Sequence, residues 1–368
     1  MSVNGINQPS KTNRKATLHD IARNAGVTVG TVSGVLRGKA KERRISEEVA
    51  EKIWRVASEM DYAPNLLIRS LHRGHTNILA FLNGFRNRDR RDFYMDALTT
   101  AIERAGGAQG YNLLVLCDFS LGAAPTYQYI NGANNDGLIF FKPQPDDPLL
   151  SYLRKSNLPI ILVNSEDSEG VLSSVTEDWK AGIRLITDEL YRLGHRRIAA
   201  FTANPWIEDS VKRTALFNEN FEALGVHLRS EWQISVDGKQ PGEVGDALRF
   251  VMRDPEPPTA IFCWHDYVGY TLLEHCERLG ISIPEQLSVV GYDGVPFPAK
   301  THHELATVVV DLDRMGEAAV KTLIKLVNGE CEPPIRHVVP VSLNSGTTLT
   351  KPFQSLTSPM VEPAVGEF

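Results

Sequence analysis

At 368 residues, with 42% hydrophobic and 23% charged side chains, the chain has a globular composition and the length of two to three folding units. Its net charge of −6 hides an asymmetry: residues 1–75 hold 13 Lys and Arg against 7 Asp and Glu, leaving 26 basic and 38 acidic residues in the remainder. A basic head on an acidic body outlines a nucleic-acid reader with a separate sensor, while the lack of an apolar run of ~18–20 residues or an apolar leader argues against a membrane span or a secretory signal.

Residues 1–15 are polar and are expected to be a disordered tail. Residues 16–38, ATLHDIARNAGVTVGTVSGVLRG, predict a helix, a tight turn and a second helix. Leu18, Ile21, Ala22 and Ala25 share one helical face. Thr17 with Asp20 makes a capping-box start, Gly26 ends the first helix, and Thr28 caps the second. Val32, Val35 and Leu36 then pack inward, which leaves Thr28, Gly30, Thr31, Ser33 and Gly34 facing outward on a surface small enough to enter a DNA major groove. KAKERR follows as a basic connector. Ser46 caps a third helix with Val49, Ile53, Val56, Ala57 and Met60 on one face. In DYAPNLLIRSLHRGH, Pro64 stops that helix, and 65–71 can form one or two turns, too short to stand alone.

From Thr76 onward, strand-length apolar runs alternate with helices. NILAFL, YNLLVL, GLIFF and PIILVN form one series, and RIAAFT, TAIFCW and LSVVGYD a second. Helices are expected at Phe93–Ala105 and near 180–193, 211–224 and 267–279. The pattern predicts two α/β subdomains with parallel sheets, and a ligand cleft at the strand carboxyl ends. Residues 351–368 read as a flexible tail.

HDIARNAGVTVGTVSGVL, YAPN with RSL, DGLIFF, EDWKAG through LGHRRIA, PPTAIFCWHD, IPEQLSVVGYD and DLDRMGEAA, in this order over about residues 16–350, resemble the LacI/GalR family of bacterial regulators. The resemblance implies an all-α helix-turn-helix headpiece (16–62), a hinge helix or linker (63–75) and a periplasmic-binding-protein-like α/β core (76–350). That core would comprise two doubly wound parallel-sheet subdomains, about 76–176 with 308–338 and about 177–307 with 339–350. It also implies a cytoplasmic homodimer on near-palindromic operator DNA, with a sugar-like effector and no cofactor.

Val29, Gly30 and Gly34 match the family's base-reading positions. Either the two glycines let the backbone approach the groove floor while Val29 meets a thymine methyl, or base reading is weakened and Thr31 and Ser33 keep phosphate contacts. Arg37 follows as a base or phosphate ligand. The resemblance makes Asn65–Leu71 a hinge helix that orders on DNA, with Leu71 as a minor-groove wedge, Ile68 replacing a smaller residue, and Arg69 on phosphate.

Asn164, Arg213, His265 and Asp293 match cleft-lining positions, and their donors and acceptors suit a polyhydroxyl ligand. His265 replaces a more usual asparagine and reads equally as a structural hydrogen-bonder, with Asp266 as the cap of the next helix. Val310 lacks a polar group found there in some members, which implies a smaller or less polar effector. The loop GFRNRDRRD, with Arg86 and Arg88, is either solvated or an anion-recognition site, and Tyr94 either stacks on a sugar ring or packs in the core.

The alternatives are a solute-binding sensor or a sugar-modifying enzyme without operator binding. There is no GxxxxGK[ST] loop, GxSxG elbow or metal-ligand cluster. Cys117, Cys263, Cys276 and Cys331 form no CxxC pair, and Cys263 beside His265 lacks an orienting acid.

Overall fold

The computed structural model describes residues 15–62, 74–84, 92–116, 122–132, 134–203, 207–236, 240 and 242–352. It divides into two units, residues 1–76 and 77–368. The expected tail 1–14, most of the hinge (63–73) and the end from 353 lie outside the described residues.

The first unit holds α1 (Leu18–Ala25), α2 (Val29–Leu36) and α3 (Glu47–Glu59). Thr17 and Asp20 close a full capping box, and Gly26 ends α1 at φ +68°, a left-handed conformation that costs glycine least. Thr28 and Ser46 cap α2 and α3 through their hydroxyls. Ile21, Ala22, Ala25, Val32, Val35, Ile53 and Ala57 form the core. The connector after α2 is more ordered than a basic loop need be. The amides of Lys39, Arg43 and Ile45 donate to the carbonyls of Gly34 (2.9 Å), Lys39 (3.1 Å) and Ala40 (2.9 Å), and Ile45 and Ala40 pack on the core.

The second unit contains two six-stranded sheets. The first holds β1 (Ile78–Asn83), β2 (Asn112–Val115), β3 (Gly137–Phe141), β4 (Ile160–Val163), β5 (Ser173–Glu177) and β11 (Arg336–Val339), in the order β11-β5-β4-β3-β1-β2. The second holds β6 (Ile198–Thr202), β7 (Gln233–Ser235), β8 (Ala260–Cys263), β9 (Ser288–Asp293), β10 (Ala306–Val310) and β12 (Val341–Asn344), in the order β12-β10-β9-β8-β6-β7. All pairings are parallel except β10 with β12. Both sheets are doubly wound, with a reversal of strand order between β1 and β3 and again between β6 and β8. Central strands such as GLIFF and AIFC are buried on both faces, which is why they read as unbroken apolar runs.

The helices are α4 (Phe93–Ala108), α5 (Ala123–Ile130), α6 (Pro148–Leu153), α7 (Trp179–Leu193), α8 (Glu208–Ala223), α9 (Glu243–Met252), α10 (Asp266–Leu279) and α11 (Leu312–Val327). The chain crosses between the sheets more than once. β10 stays paired in the second sheet through Val310. α11 then packs on α4 and on β3–β5, β11 joins the first sheet, and β12 returns to the second. The final stretch is tied down by His195, which is fully buried. One ring nitrogen donates to the Thr350 carbonyl (2.8 Å) and the other meets Thr259 Oγ1 (2.9 Å), while burial holds the imidazole below its ordinary pKa and neutral.

Asp167 fastens the loop between β4 and β5. Its carboxylate accepts from the amides of Glu169, Val171 and Leu172 and pairs with Arg154 at 2.8 Å. Burial pushes this carboxyl up, but the Leu172 amide, Arg154 and the other amides outweigh burial and hold it below the usual carboxylate range. A carboxylate with a depressed folded pKa adds stability above its unfolded value near 3.9 and loses it as pH falls through the folded value. Asp167→Ala strips three amides of their acceptor and Arg154 of one of its two carboxylates, Glu169 remaining at 2.7 Å, and is expected to cost roughly 1–3 kcal/mol at pH 7. Denaturant titrations should show that deficit shrinking as the pH is lowered through the wild-type carboxyl's titration.

Candidate functional site

The exposed face of α2 is the candidate nucleic-acid surface. Thr28 Oγ1 accepts from the Thr31 amide (3.2 Å) and bonds the Thr31 hydroxyl (2.9 Å), so both side chains are held as a pair. Thr28 and Gly30 are exposed, while Thr31 and Ser33 are half-buried. Arg37 is exposed at the end of the helix. Val29 packs partly on the headpiece core instead of standing clear of it. Gly34 corrects the outward face drawn from spacing: it is buried, and a Cβ there would lie 2.9 Å from Arg43 Cδ and 3.2 Å from Ile45 Cδ1. The i, i+4 relation to Gly30 holds along the helix, but the folded connector covers only the second glycine. Asn65, Ile68, Arg69 and Leu71 lie outside the described residues.

In the second unit, a cavity of about 780 Å³ opens at the carboxyl ends of the first sheet's strands. Lys142 follows β3, Asn164 follows β4, Glu177 ends β5, and Asp209 and Arg213 project from α8, which follows β6 of the second sheet. Their positions follow from βα topology, which collects loops and helix starts at this end of each sheet. Lys142 (φ +45°), Asn164 (φ +53°) and Asp293 (φ +117°) all hold left-handed backbone at strand ends, a conformation costly for side-chain-bearing residues and concentrated at functional sites.

Arg213 organises the charge. Its guanidinium donates to Glu177 at 2.6 Å, approaches Asp293 at 3.9 Å and lies 3.8 Å over the Tyr292 ring. Burial disfavours its charge, but Tyr292, Glu177 and Asp293 outweigh burial and keep the group firmly protonated. Burial pushes the Asp293 carboxyl well up, and Arg213 only partly opposes it. Lys142 pairs with Asp209 at 2.6 Å, and Lys142, then Arg213, overcome burial to hold that carboxyl below its usual range. Tyr292 is seated on Gly182, where a Cβ would fall 2.5 Å from the phenolic oxygen.

Tyr94 is tied to the same cavity by Asn164, whose amide donates to the phenol. The phenol packs 3.9 Å from Met315 Sδ, and its ring lies 6.3 Å from that of Phe141. Burial, then Glu177 and Asp293, raises its pKa. Three buried polar atoms here have no hydrogen-bond partner: Asn164 Oδ1, an acceptor, Arg213 Nε, a donor, and the Tyr292 hydroxyl; of these residues Asn164 and Arg213 line the cavity. The structure thus brings Tyr94, Asn164, Arg213 and Asp293 into one connected cluster. Glu177, Lys142, Asp209 and Tyr292 were missed from sequence. Their signal was a polar residue at a strand's carboxyl end, or one turn before Arg213 on the same helix face.

His265 plays a different part. It caps α10, its Nδ1 accepting from the Val268 amide at 3.1 Å, and packs against Trp264 with ring centroids 3.7 Å apart and planes tilted by 42°. This corrects the expectation that Asp266 caps α10. The Asp266 carboxylate instead accepts from Thr307 Oγ1 (2.6 Å) and the Val295 amide (2.8 Å), bracing the loop after β9. Cys263 is fully buried, and burial raises its thiol pKa, the reverse of what a nucleophile needs. Val310 sits in the core. Arg86 and Arg88 lie outside the described residues, and among the described residues no group of acidic, His and Cys side chains suits a metal.

Comparison with known proteins places these two regions. Residues 17–65 match the model for bacterial regulatory proteins of the lacI family, and residues 187–349 match the periplasmic binding protein-like domain. The HTH-type transcriptional repressor PurR of Photobacterium profundum is 26% identical over 317 residues, 85% of this chain and 92% of that protein. PurR of Erwinia tasmaniensis is 27% identical over 321 residues, 86% and 92% of the two chains. Among solved structures, a lac repressor dimer bound to operator and the anti-inducer ONPF aligns with a TM-score of 0.77 at 21% identity, covering 92% of this chain and all of that one. A complex of the regulator CelR with cellobiose aligns at 0.65 and 24% identity, covering 91% and 100%. At such identities the solved structures establish the fold alone. The chain therefore carries a lacI-family helix-turn-helix region at residues 17–65 and a periplasmic binding protein-like domain at 187–349, and over most of its length it is similar to the PurR repressors.

Proposed function

We propose that this protein is a LacI-family repressor that binds a near-palindromic operator as a homodimer and that a neutral sugar or sugar derivative in the cleft of the second unit sets its operator affinity. The observation that carries the ligand class is the pair of unsatisfied buried polar atoms on two residues that line one cavity, the Asn164 Oδ1 acceptor and the Arg213 Nε donor. A hydroxyl both donates and accepts, so vicinal hydroxyls satisfy such a pair. The charges beside it are already matched, Arg213 by Glu177 and Lys142 by Asp209, which favours a neutral ligand over an anionic one. The sugar bound to CelR is in keeping with this reading. Tyr94 and Asp293 support the site through Asn164 and Arg213, and Arg86 is the residue through which an anionic derivative would gain affinity.

Ligand binding between the two sheets would favour one arrangement of them over another. That preference would reach the operator through residues 63–75, with Asn65, Ile68, Arg69 and Leu71 as the DNA-contacting part of the hinge. A ligand shifts such an equilibrium only by its differential affinity for the two arrangements. Thr28, Val29, Gly30, Thr31, Ser33 and Arg37 are the headpiece residues nearest the duplex in this reading.

The full-length protein, given a pool of randomised duplexes, should enrich a sequence bound at least ~10³-fold more tightly than its scrambled counterpart. Both affinities should fall steeply with salt. Enrichment of no sequence would remove the regulator reading. In a thermal-shift screen of neutral sugars, sugar phosphates and sugar acids, a neutral sugar at about 100 times its Kd should stabilise the fold by about 2.7 kcal/mol. Arg213→Lys keeps the charge but loses the fork, and should weaken that ligand by about 1.5–3 kcal/mol while leaving ligand-free operator preference intact.

A further inference from the structure

The connector between α2 and α3 does more than join two helices. Arg43 lies back across α2: its Cδ and Nε stand 2.9 and 3.6 Å from where a Cβ at Gly34 would be, so the absent side chain is the groove through which its stem passes. Its Nη1 then donates to the Gly30 carbonyl at 3.0 Å. Both Arg43 and Gly30 are exposed. The arm is not loose. Backbone bonds from Lys39 to Gly34 and from Arg43 to Lys39 fold the connector onto the helix end, and Ile45 anchors it in the core. Arg44, next in the chain, takes a left-handed φ of +52°, a further sign that the turn is constrained. Glu42, the residue before Arg43, pairs with Lys39 at 3.5 Å, and among the described residues no carboxylate pairs with Arg43.

We propose that Arg43, delivered across Gly34 to the exposed face of α2, is a base-reading residue of the headpiece. This inference rests on the operator-binding reading above. The face offers only short groups at its outer edge, Thr28, Gly30 and Thr31, which cannot reach far into a groove. A guanidinium held beside Gly30 supplies what they lack. It has five donors in a planar fork, of which the Gly30 carbonyl engages one, and its natural base partner is the O6/N7 edge of guanine. Gly30, with nothing nearer than 3.7 Å around the position of a Cβ, leaves the approach open. The two glycines thus have separate tasks, one seating the arm and one clearing its tip.

The test uses the full-length protein and the duplex that wild type enriches from a randomised pool, with its scrambled counterpart as the second probe. Arg43→Ala should lower the enriched-over-scrambled affinity ratio by about 5- to 150-fold, the range of one good bidentate base contact. Affinity for the scrambled duplex should change by much less. Arg43→Lys keeps the charge without the fork and should fail to restore the ratio. Loss of one exposed hydrogen bond and the stem's packing should lower far-UV circular dichroism melting by no more than a few degrees, leaving the headpiece folded in both variants at the assay temperature. A ratio left at the wild-type value, an equal loss on both duplexes, or rescue by lysine would each overturn the proposal and leave Arg43 a phosphate ligand or a structural strap. If wild type itself enriches nothing, the underlying operator-binding reading fails instead.

Discussion

A single buried cation governs the cavity of the second unit. Arg213 belongs to the helix after β6, on the second sheet, yet its closest partner is Glu177 at the tip of β5, on the first. A charge so deeply buried is tolerated only when matched, and removing one partner leaves an uncompensated ion worth several kcal/mol. The pair therefore fixes how the two carboxyl-terminal edges face each other. Asp293 and Tyr292, at the end of β9, hold the guanidinium from the other side. Gly182 is part of the same constraint, because any side chain there would displace Tyr292 from the cation it covers.

The cavity inherits its chemistry from this arrangement. With Arg213 committed through Nη2 to Glu177, its Nε remains as a directed donor, and Asn164, committed through its amide to Tyr94, keeps Oδ1 as a directed acceptor. Left-handed backbone at Lys142, Asn164 and Asp293 holds these side chains at angles an extended strand end would not allow. Repeated crossing of the chain between the layers means that a change at the cleft is shared by both sheets, since α11 packs on the first sheet directly after β10 of the second.

The headpiece solves a smaller problem in a similar way. A three-helix unit of this size has little core to spend, so its connector is folded back and anchored by Ile45. Gly34 permits that close approach at the cost of helix propensity, about 1 kcal/mol relative to alanine. The same contact that stabilises the turn positions an arginine on the exposed face.

Much of this was legible in the chain itself. Periodicity and cap chemistry located α1, α2 and α3, because Thr17, Gly26, Thr28 and Ser46 act through local backbone geometry. Doubly buried strands announced themselves as apolar runs. The polar strand β5 did not, because Ser173 and Ser174 are buried by virtue of partners far away, Ser173 Oγ accepting from the Ile335 amide. Asn164, Arg213 and Asp293 could be singled out from the chain, but their bonds could not, since Glu177 and Asp209 gain meaning only from sheet order. Spacing alone set Gly30 and Gly34 on one helical face and read them alike. Only the tertiary fold separated them, because burial depends on which distant segment covers a surface, and a helix's own periodicity carries no record of what packs against it.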